Sequence, residues 1–199
     1  MAPKLNFSKE EIELILNSDL ILKKRKLIQL VKDDFHQIGT SIIYDSTSHY
    51  SDIFGKDFSR NIKITSGENL HGMPYVVLDL FSSFNAENIL TLRVLFWWGN
   101  FISVNLLLSG KNFDFFQKKL IQKIKTSGNH QPIIYVTSDI WENQIRTSDP
   151  TINDISPDTF ELYFQNKRLR FSKKIEIREM IQLELLIKNS ITELISLIN

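Results

Sequence analysis

The sequence predicts an α+β fold in which N- and C-terminal helices pack on a mainly antiparallel sheet. Amphipathic helical periodicity is found near both ends of the chain, and short apolar runs separated by turn residues lie between them. These runs lack the regular helical crossovers that a parallel α/β fold requires. A length of 199 residues is typical of one domain, so residues 1–199 are expected to form a single α+β domain.

Two helices are predicted at the N-terminus. Ser8 and Glu11 have the spacing of a capping box, which predicts a short helix over about 9–17. Asp19 is the expected N-cap of the next helix, and Gly39 is expected to end it. A stripe of apolar residues stepping by four, four and three positions gives this second helix one buried side.

Five strands are expected after a polar loop over 45–60. Each combines β-branched or aromatic residues with alternating hydrophobicity or a short apolar run. The predicted strands are 61–65, 74–81, 91–98, 101–109 and 133–137, with 61–65 at an edge of the sheet.

The strongest element is a hairpin over 92–108. Gly99-Asn100 matches a two-residue type II′ turn, which pairs Trp98 with Phe101 and Phe96 with Ser103. The predicted faces carry Trp97, Ile102, Leu95, Val104 and Leu106 on one side, and Trp98, Phe101, Phe96, Val94, Ser103 and Asn105 on the other. The window 89–108 could also be read as a membrane span, but its charged and polar residues would be costly in lipid, and we expect no membrane insertion.

For the rest of the chain, the sequence predicts some elements clearly and leaves alternatives for others. Asn112 is expected to cap a helix over 113–127, and 138–157 is expected to be mostly loop. Residues 159–172 fit either a second hairpin or a helix, and 173–198 are expected to be helical, with a break where Ser190 repeats the capping-box spacing.

Composition narrows the classes of function. Lys and Arg number 24 against 23 Asp and Glu, so the net charge of +1 argues against a nucleic-acid or membrane-surface binder. Basic clusters at 23–26, 118–125 and 167–174 are therefore interpreted as solvated faces. The absence of cysteine excludes disulfides, a thiol nucleophile and a thiolate zinc site. The N-terminus lacks the apolar core of a signal peptide. This feature and the absence of cysteine together favour a cytoplasmic protein.

No catalytic, metal-binding or cofactor motif stands out, and whether the protein is an enzyme stays open. Asp45, His49 and Asp52 could share one loop, as could Glu68 and His71. Neither group has the histidine spacing of a metal site, so both are interpreted as loop residues. No glycine-rich phosphate loop or nucleophile motif is found either, and no cofactor is expected.

Arg93 is the residue that most needs explanation, because it projects from an otherwise apolar face. A buried guanidinium needs anionic or carbonyl partners. One interpretation is a structural ion pair with Asp79 or Glu87. The other is a pocket for a small anionic ligand over the sheet, lined by Arg93, Asn105, His71 and Trp98.

Two functions follow as hypotheses. The first is a non-enzymatic interaction module with an unknown protein partner, or a homodimer through the 92–108 hairpin, because apolar residues cover both hairpin faces. A monomer in which the C-terminal helix covers the second face is the alternative to the dimer. The second function is a small anionic-ligand binding protein or modest enzyme, with its pocket around Arg93.

Overall fold

A computed structural model describes residues 6–45, 51–54, 62–84, 87–126, 132–156, 159 and 163–199 of the chain. The helices are α1 (Lys9–Leu16), α2 (Ser18–Asp45), α3 (Ser51–Phe54), α4 (Gly110–Thr126) and α5 (Leu183–Ile195), with 3-10 turns at Ile152–Asp154 and Ile177–Gln182. The strands are β1 (Lys63–Leu70), β2 (Met73–Phe84), β3 (Ile89–Trp97), β4 (Phe101–Ser109), β5 (Tyr135–Thr137) and β6 (Arg168–Glu176).

The strands form a six-stranded sheet in the order β1-β2-β3-β4-β6-β5, and every neighbouring pair is antiparallel. The predicted α+β class is therefore confirmed, as is the position of the first strand at one edge. Among the described residues, no helix is both long and apolar enough to cross a membrane. The window 89–108 forms the hairpin of β3 and β4.

One face of the sheet, the helix-covered face, holds the main hydrophobic core. Alternate residues of β2, β3 and β4 point to this face, as the period of two in a strand requires. They join one buried cluster with the apolar sides of α2, α4 and α5. The predicted stripe of α4 is confirmed, because Phe113, Phe116, Leu120 and Ile124 are all buried.

The opposite face is covered by the irregular segment 138–150, and we call it the loop-covered face. Ile145 of this segment packs with Val77, Leu95, Trp97 and Phe101, so the segment closes over the middle strands. Ile140 forms a further buried cluster with Ile89 and Leu107. The prediction that this region lacks regular structure is right. The sequence pattern did not show that the region packs on the sheet.

The predicted hairpin register is wrong by one residue. Phe96 pairs with Ile102 and Arg93 with Asn105, because Trp98, Gly99 and Asn100 all lie in the connection between the strands. Asn100 donates its N–H to the Trp97 carbonyl at 3.0 Å, and Gly99 has a φ of +73°. The glycine thus has the predicted positive φ, but at the third position of a four-residue turn instead of the second.

This one-residue slip moves the side chains of one strand to the opposite face relative to those of the other strand. Val94 and Phe96 lie in the core of the helix-covered face, whereas Phe101 lies in the cluster of the loop-covered face. The mixed aromatic face that predicted dimerisation through the hairpin is therefore not a single surface. Both strands of the hairpin are almost wholly buried within the chain.

Strand β6 corrects the prediction for the last third of the chain. It lies between β4 and β5 and runs to Glu176, where a helix was predicted. Of the two predictions for 159–172, a helix that opens after 156–158 agrees with the helical backbone at Thr159, Tyr163 and Phe164, whereas the end of the range belongs to β6 from Arg168 onward. Helix α5 also continues through Ser190 without the predicted break.

Helix α2 begins before and ends beyond its predicted limits. Its first residue is Ser18, and the Asn17 side chain accepts a hydrogen bond from the Leu20 N–H at 3.2 Å, so Asp19 is not the cap. Gly39 lies inside the helix, where an added Cβ would approach side chains of the sheet at 3.3 Å. Close packing of α2 on the sheet, and not a helix end, explains this glycine.

Candidate functional site

A row of polar residues crosses the loop-covered face, one from each strand. The registers place these residues directly opposite one another across successive strands. In sheet order the row is Lys63, Asp79, Arg93, Asn105, Ser172 and Tyr135. We call it the polar row. Asp79, Asn105 and Ser172 are buried and Arg93 is half-buried, which is unusual for such residue types and calls for hydrogen-bond partners.

Arg93 makes a two-point ion pair with Asp79. Its Nε and Nη2 donate to the two carboxylate oxygens at 2.7 and 3.0 Å. The Asp79 side chain is 4% exposed and that of Arg93 is 19% exposed. Of the two structural partners proposed from the sequence, Asp79 is therefore the one that Arg93 contacts through its fork.

Asn105 links three strands through its side-chain amide. Its Nδ2 donates to the Arg93 carbonyl at 3.1 Å and to the Ser103 hydroxyl at 3.0 Å. Its Oδ1 accepts from the Ser172 hydroxyl at 2.7 Å. Both hydrogens of the amide and its oxygen are thus used inside the sheet, which stabilises the register of β3, β4 and β6.

The other two predicted pocket residues lie elsewhere. The His71 ring is exposed in the β1–β2 turn and lies 5.4 Å from the Trp97 ring. Trp98 packs against the core of the helix-covered face, with its ring perpendicular to that of Phe96 at 6.4 Å. The structure thus places Arg93 and Asn105 side by side on one face and Trp98 on the other side of the sheet.

A cavity of about 210 Å³ opens beside Arg93 on the loop-covered face. Its walls combine apolar side chains of the sheet with four polar groups, and they are Thr65, Leu70, Tyr75, Val77, Arg93, Leu95 and Asn143. Of the four residues predicted to line a pocket, Arg93 is the one that lines it. The volume is below the 300–1,000 Å³ of ordinary ligand pockets, so the cavity suits a molecule of only a few heavy atoms.

The segment 138–150 builds the outer wall of this region. The Arg93 guanidinium lies 5.5 Å from the centre of the Trp141 ring, within cation–π range. Sequence patterns could not reveal Asn143 and Trp141 as neighbours of Arg93, because an irregular segment has no periodicity from which its facing side can be read.

Arg170 is a second buried cation under the same segment. Its Nη2 donates to the Gln144 carbonyl at 3.3 Å, and its Nε has no hydrogen-bond partner among the described residues. Burial lowers the pKa of Arg170, and the nearby carboxylates of Glu142, Asp139 and Asp149 oppose that shift. These partners fix the segment to β6. Arg170 is not among the residues that line the cavity beside Arg93.

Metal binding finds no support in the part of the chain that the structure describes. Within those residues, no group of three or more His, Asp or Glu side chains is placed to hold a metal ion. The predicted loop group of Asp45, His49 and Asp52 lies largely outside the described residues, since 46–50 are not among them.

A second candidate surface is formed by α1 and the first half of α2, and we call it the N-terminal apolar surface. The capping box of Ser8 and Glu11 starts α1 as predicted, but none of the eight α1 residues is buried. The large apolar side chains exposed here are Phe7, Ile12, Leu14, Ile15, Leu16, Leu20, Ile21, Leu22, Leu27 and Leu30. They account for ten of the seventeen exposed large hydrophobic residues in the described chain.

Such a concentration is the usual mark of a surface that another molecule covers. Helical periodicity does not reveal this surface, because the pattern predicts an apolar side packed on the sheet. What the pattern did not show is that α1 and the start of α2 bury none of these side chains.

No protein-family model matches this chain, and comparisons with curated proteins and with solved structures found no match.

Proposed function

We propose that this protein is an interaction module that associates with a second copy of itself through the N-terminal apolar surface. The observation that supports this is the exposure of ten large apolar side chains, nine on two neighbouring helices and Phe7 just before α1. Leaving them in water is unfavourable by roughly 25 cal/mol for each Å² of apolar area, which contact with another chain would recover. The 92–108 hairpin offers no comparable surface, because its strands are buried in the sheet.

The test compares two pairs of exposed residues. Leu16→Lys with Leu20→Lys places two charges on the N-terminal apolar surface, at side chains that are 75% and 50% exposed. Ile181→Lys with Leu185→Lys places two charges at similarly exposed apolar residues on a different surface. We expect a dimer mass by light scattering at micromolar concentration for the wild type and the second variant, and a monomer mass for the first.

Urea unfolding of the monomeric fraction should be unchanged in both variants, since neither pair contributes to the core. A monomeric wild type would refute self-association. A first variant that remains a dimer would show that the interface lies elsewhere.

The cavity beside Arg93 supports a second candidate function, binding of a small anionic ligand. Thr65, Tyr75 and Asn143 bring hydroxyl and amide groups to the same cavity as the Arg93 guanidinium. The ion pair with Asp79 already neutralises much of the positive charge, so only weak binding of an anion is expected.

Acetate and inorganic phosphate are suitable probes for this candidate. Binding should quench or shift the fluorescence of Trp141, which lies over Arg93, and Asn143→Leu should abolish the change. Ser148→Ala, an exposed position in the same segment, is the matched control. If no anion at millimolar concentration perturbs Trp141, the cavity is not an anion site.

A further inference from the structure

The residues around Ser18 form a mirror-symmetric pattern. The triplet Leu14–Leu16 and the triplet Leu20–Leu22 both read Leu-Ile-Leu and are equally distant from Ser18. Continuing outward, Glu13, Glu11 and Glu10 on one side correspond in distance to Lys23, Arg25 and Lys26 on the other. The apolar pattern is thus repeated in reverse order, while the flanking charges change sign.

Such a pattern could in principle pair within one chain, if α1 folded back on α2. The structure shows a different arrangement, because α1 has no buried residue and the six triplet side chains are 48 to 75% exposed. The helices are separated by Asn17 alone, whose side chain accepts a hydrogen bond from the Leu20 N–H. The two halves of the pattern therefore do not cover each other within the described chain.

We propose that two copies of the chain pack this region antiparallel, around a two-fold axis that passes near Ser18. This inference rests on the proposed self-association and specifies its geometry. In a two-fold interface, a contact of residue i with residue j is repeated as j with i. With the axis at Ser18, the triplet 14–16 of each copy faces the triplet 20–22 of the other.

The charges favour this orientation over a parallel one. Antiparallel packing brings the acidic side chains of α1 close to the basic stretch 23–26 of the second copy. Parallel packing would place acid against acid and base against base, which is unfavourable. Within the described chain, Glu10, Glu13, Arg25 and Lys26 make no ion pair, so their charges are available to a second copy.

Two neighbouring lysines have partners in their own chain. Lys23 pairs with Asp19 at 2.6 Å, one helical turn away on the exposed side of α2. Lys24 pairs with Glu68 of β1 and so holds α2 against the sheet. The exposed Lys23–Asp19 pair contributes little to stability and can be exchanged for an intermolecular one. Lys24 is left unchanged in the test below.

The experiment mixes two charge-reversed variants. E10K/E13K places lysines at positions 10 and 13, which face Lys26 and Lys23 of the other copy, and K23E/K26E places glutamates at positions 23 and 26, which face Glu13 and Glu10 of the other copy. Each variant alone then opposes like charges at both contacts of its homodimer, and we expect its dimer dissociation constant to rise at least about tenfold. An equimolar mixture forms a heterodimer in which both contacts are complementary, and its affinity should return to near the wild-type value.

Native mass spectrometry of the mixture distinguishes the heterodimer from either homodimer when one variant is uniformly labelled with heavy nitrogen, because the substitutions alone change the mass by only a few daltons. K118E/K119E on the exposed side of α4 is the control, and it should dimerise as the wild type does. Salt at about 0.5 M should reduce the difference between variants, since exposed charges are then screened.

The outcomes separate this inference from the one on which it rests. A monomeric wild type would overturn both. A wild-type dimer whose charge-reversed variants dimerise unchanged, or whose mixture shows no heterodimer preference, would overturn the antiparallel arrangement alone.

Discussion

Removing Arg93 should destabilise the fold by about 3–5 kcal/mol, the range found when one partner of a buried ion pair is lost. In Arg93→Leu, the Asp79 carboxylate, whose side chain is 4% exposed in the wild type, loses both hydrogen bonds from the guanidinium. In Asp79→Leu the loss should be smaller, about 1.5–3 kcal/mol, because the remaining guanidinium can still reach water and the Trp141 ring.

The double variant Arg93→Leu/Asp79→Leu distinguishes an ion pair from two independent contributions. Replacing both partners by apolar residues of similar volume is often neutral, so we expect stability within about 1 kcal/mol of the wild type. Urea unfolding of the four proteins then gives a coupling energy of about 3 kcal/mol or more. Single effects that add in the double variant would refute the ion pair as the reason for the arginine.

An exposed pair in the same protein provides a reference. Lys167 and Asp114 are 3.0 Å apart, with side chains 60% and 45% exposed. Their double-mutant cycle should give a coupling energy below about 1 kcal/mol. Similar couplings for both pairs would mean that burial is not what gives the Arg93 pair its strength.

Three further changes test the turns and the cap. Gly99→Val should cost about 1 kcal/mol or more in thermal unfolding, because φ is +73° while an added Cβ meets nothing within 4 Å. Gly110→Ala should lower the melting temperature further, because φ is +58° and the added Cβ would lie 2.2 Å from the Glu87 carbonyl. Hydrogen bonds from the Ser8 backbone and then its side chain lower the pKa of Glu11, so the cap stabilises α1 at neutral pH and is lost as pH falls through that lowered pKa. In Ser8→Ala, an NMR titration should show the Glu11 pKa moving up toward its ordinary value of 4.5, and an unchanged titration would contradict the capping box.

The sequence could predict the fold class because helical and strand periodicity reflect local geometry. The register of β3 and β4 could not be predicted in the same way. Gly99-Asn100 fits a two-residue turn, and the three-residue connection differs from it by one position only. In the observed register, Phe96 and Trp98 pack on the helix-covered face. The choice between the two registers therefore depends on the helices that cover this face, which the hairpin sequence does not show.

The residues of the candidate site could likewise be predicted from the sequence only in part. Arg93 and its partner Asp79 could be identified because a charge in an apolar run needs a partner nearby in the sheet. Asn105 could be seen as polar within the hairpin, but its position opposite Arg93 depends on the true register. The residues contributed by 138–150 could not be predicted, because their placement follows from the packing of Ile140 and Ile145 on the sheet.

Helix α1 also needs a partner on thermodynamic grounds. A helix of eight residues is marginal in water, because nucleation is costly and few backbone hydrogen bonds follow it. Its capping box contributes about 1 kcal/mol, and no buried side chain adds tertiary packing. Helix α2 differs, since Val31, Phe35, Ile38 and Ile42 anchor its second half in the core while its first half buries none of its residues. The sheet packs only against the second half of α2, and a second copy that covers α1 and the first half of α2 would supply the packing that they lack. Formation of α1 and association of two chains would therefore stabilise each other.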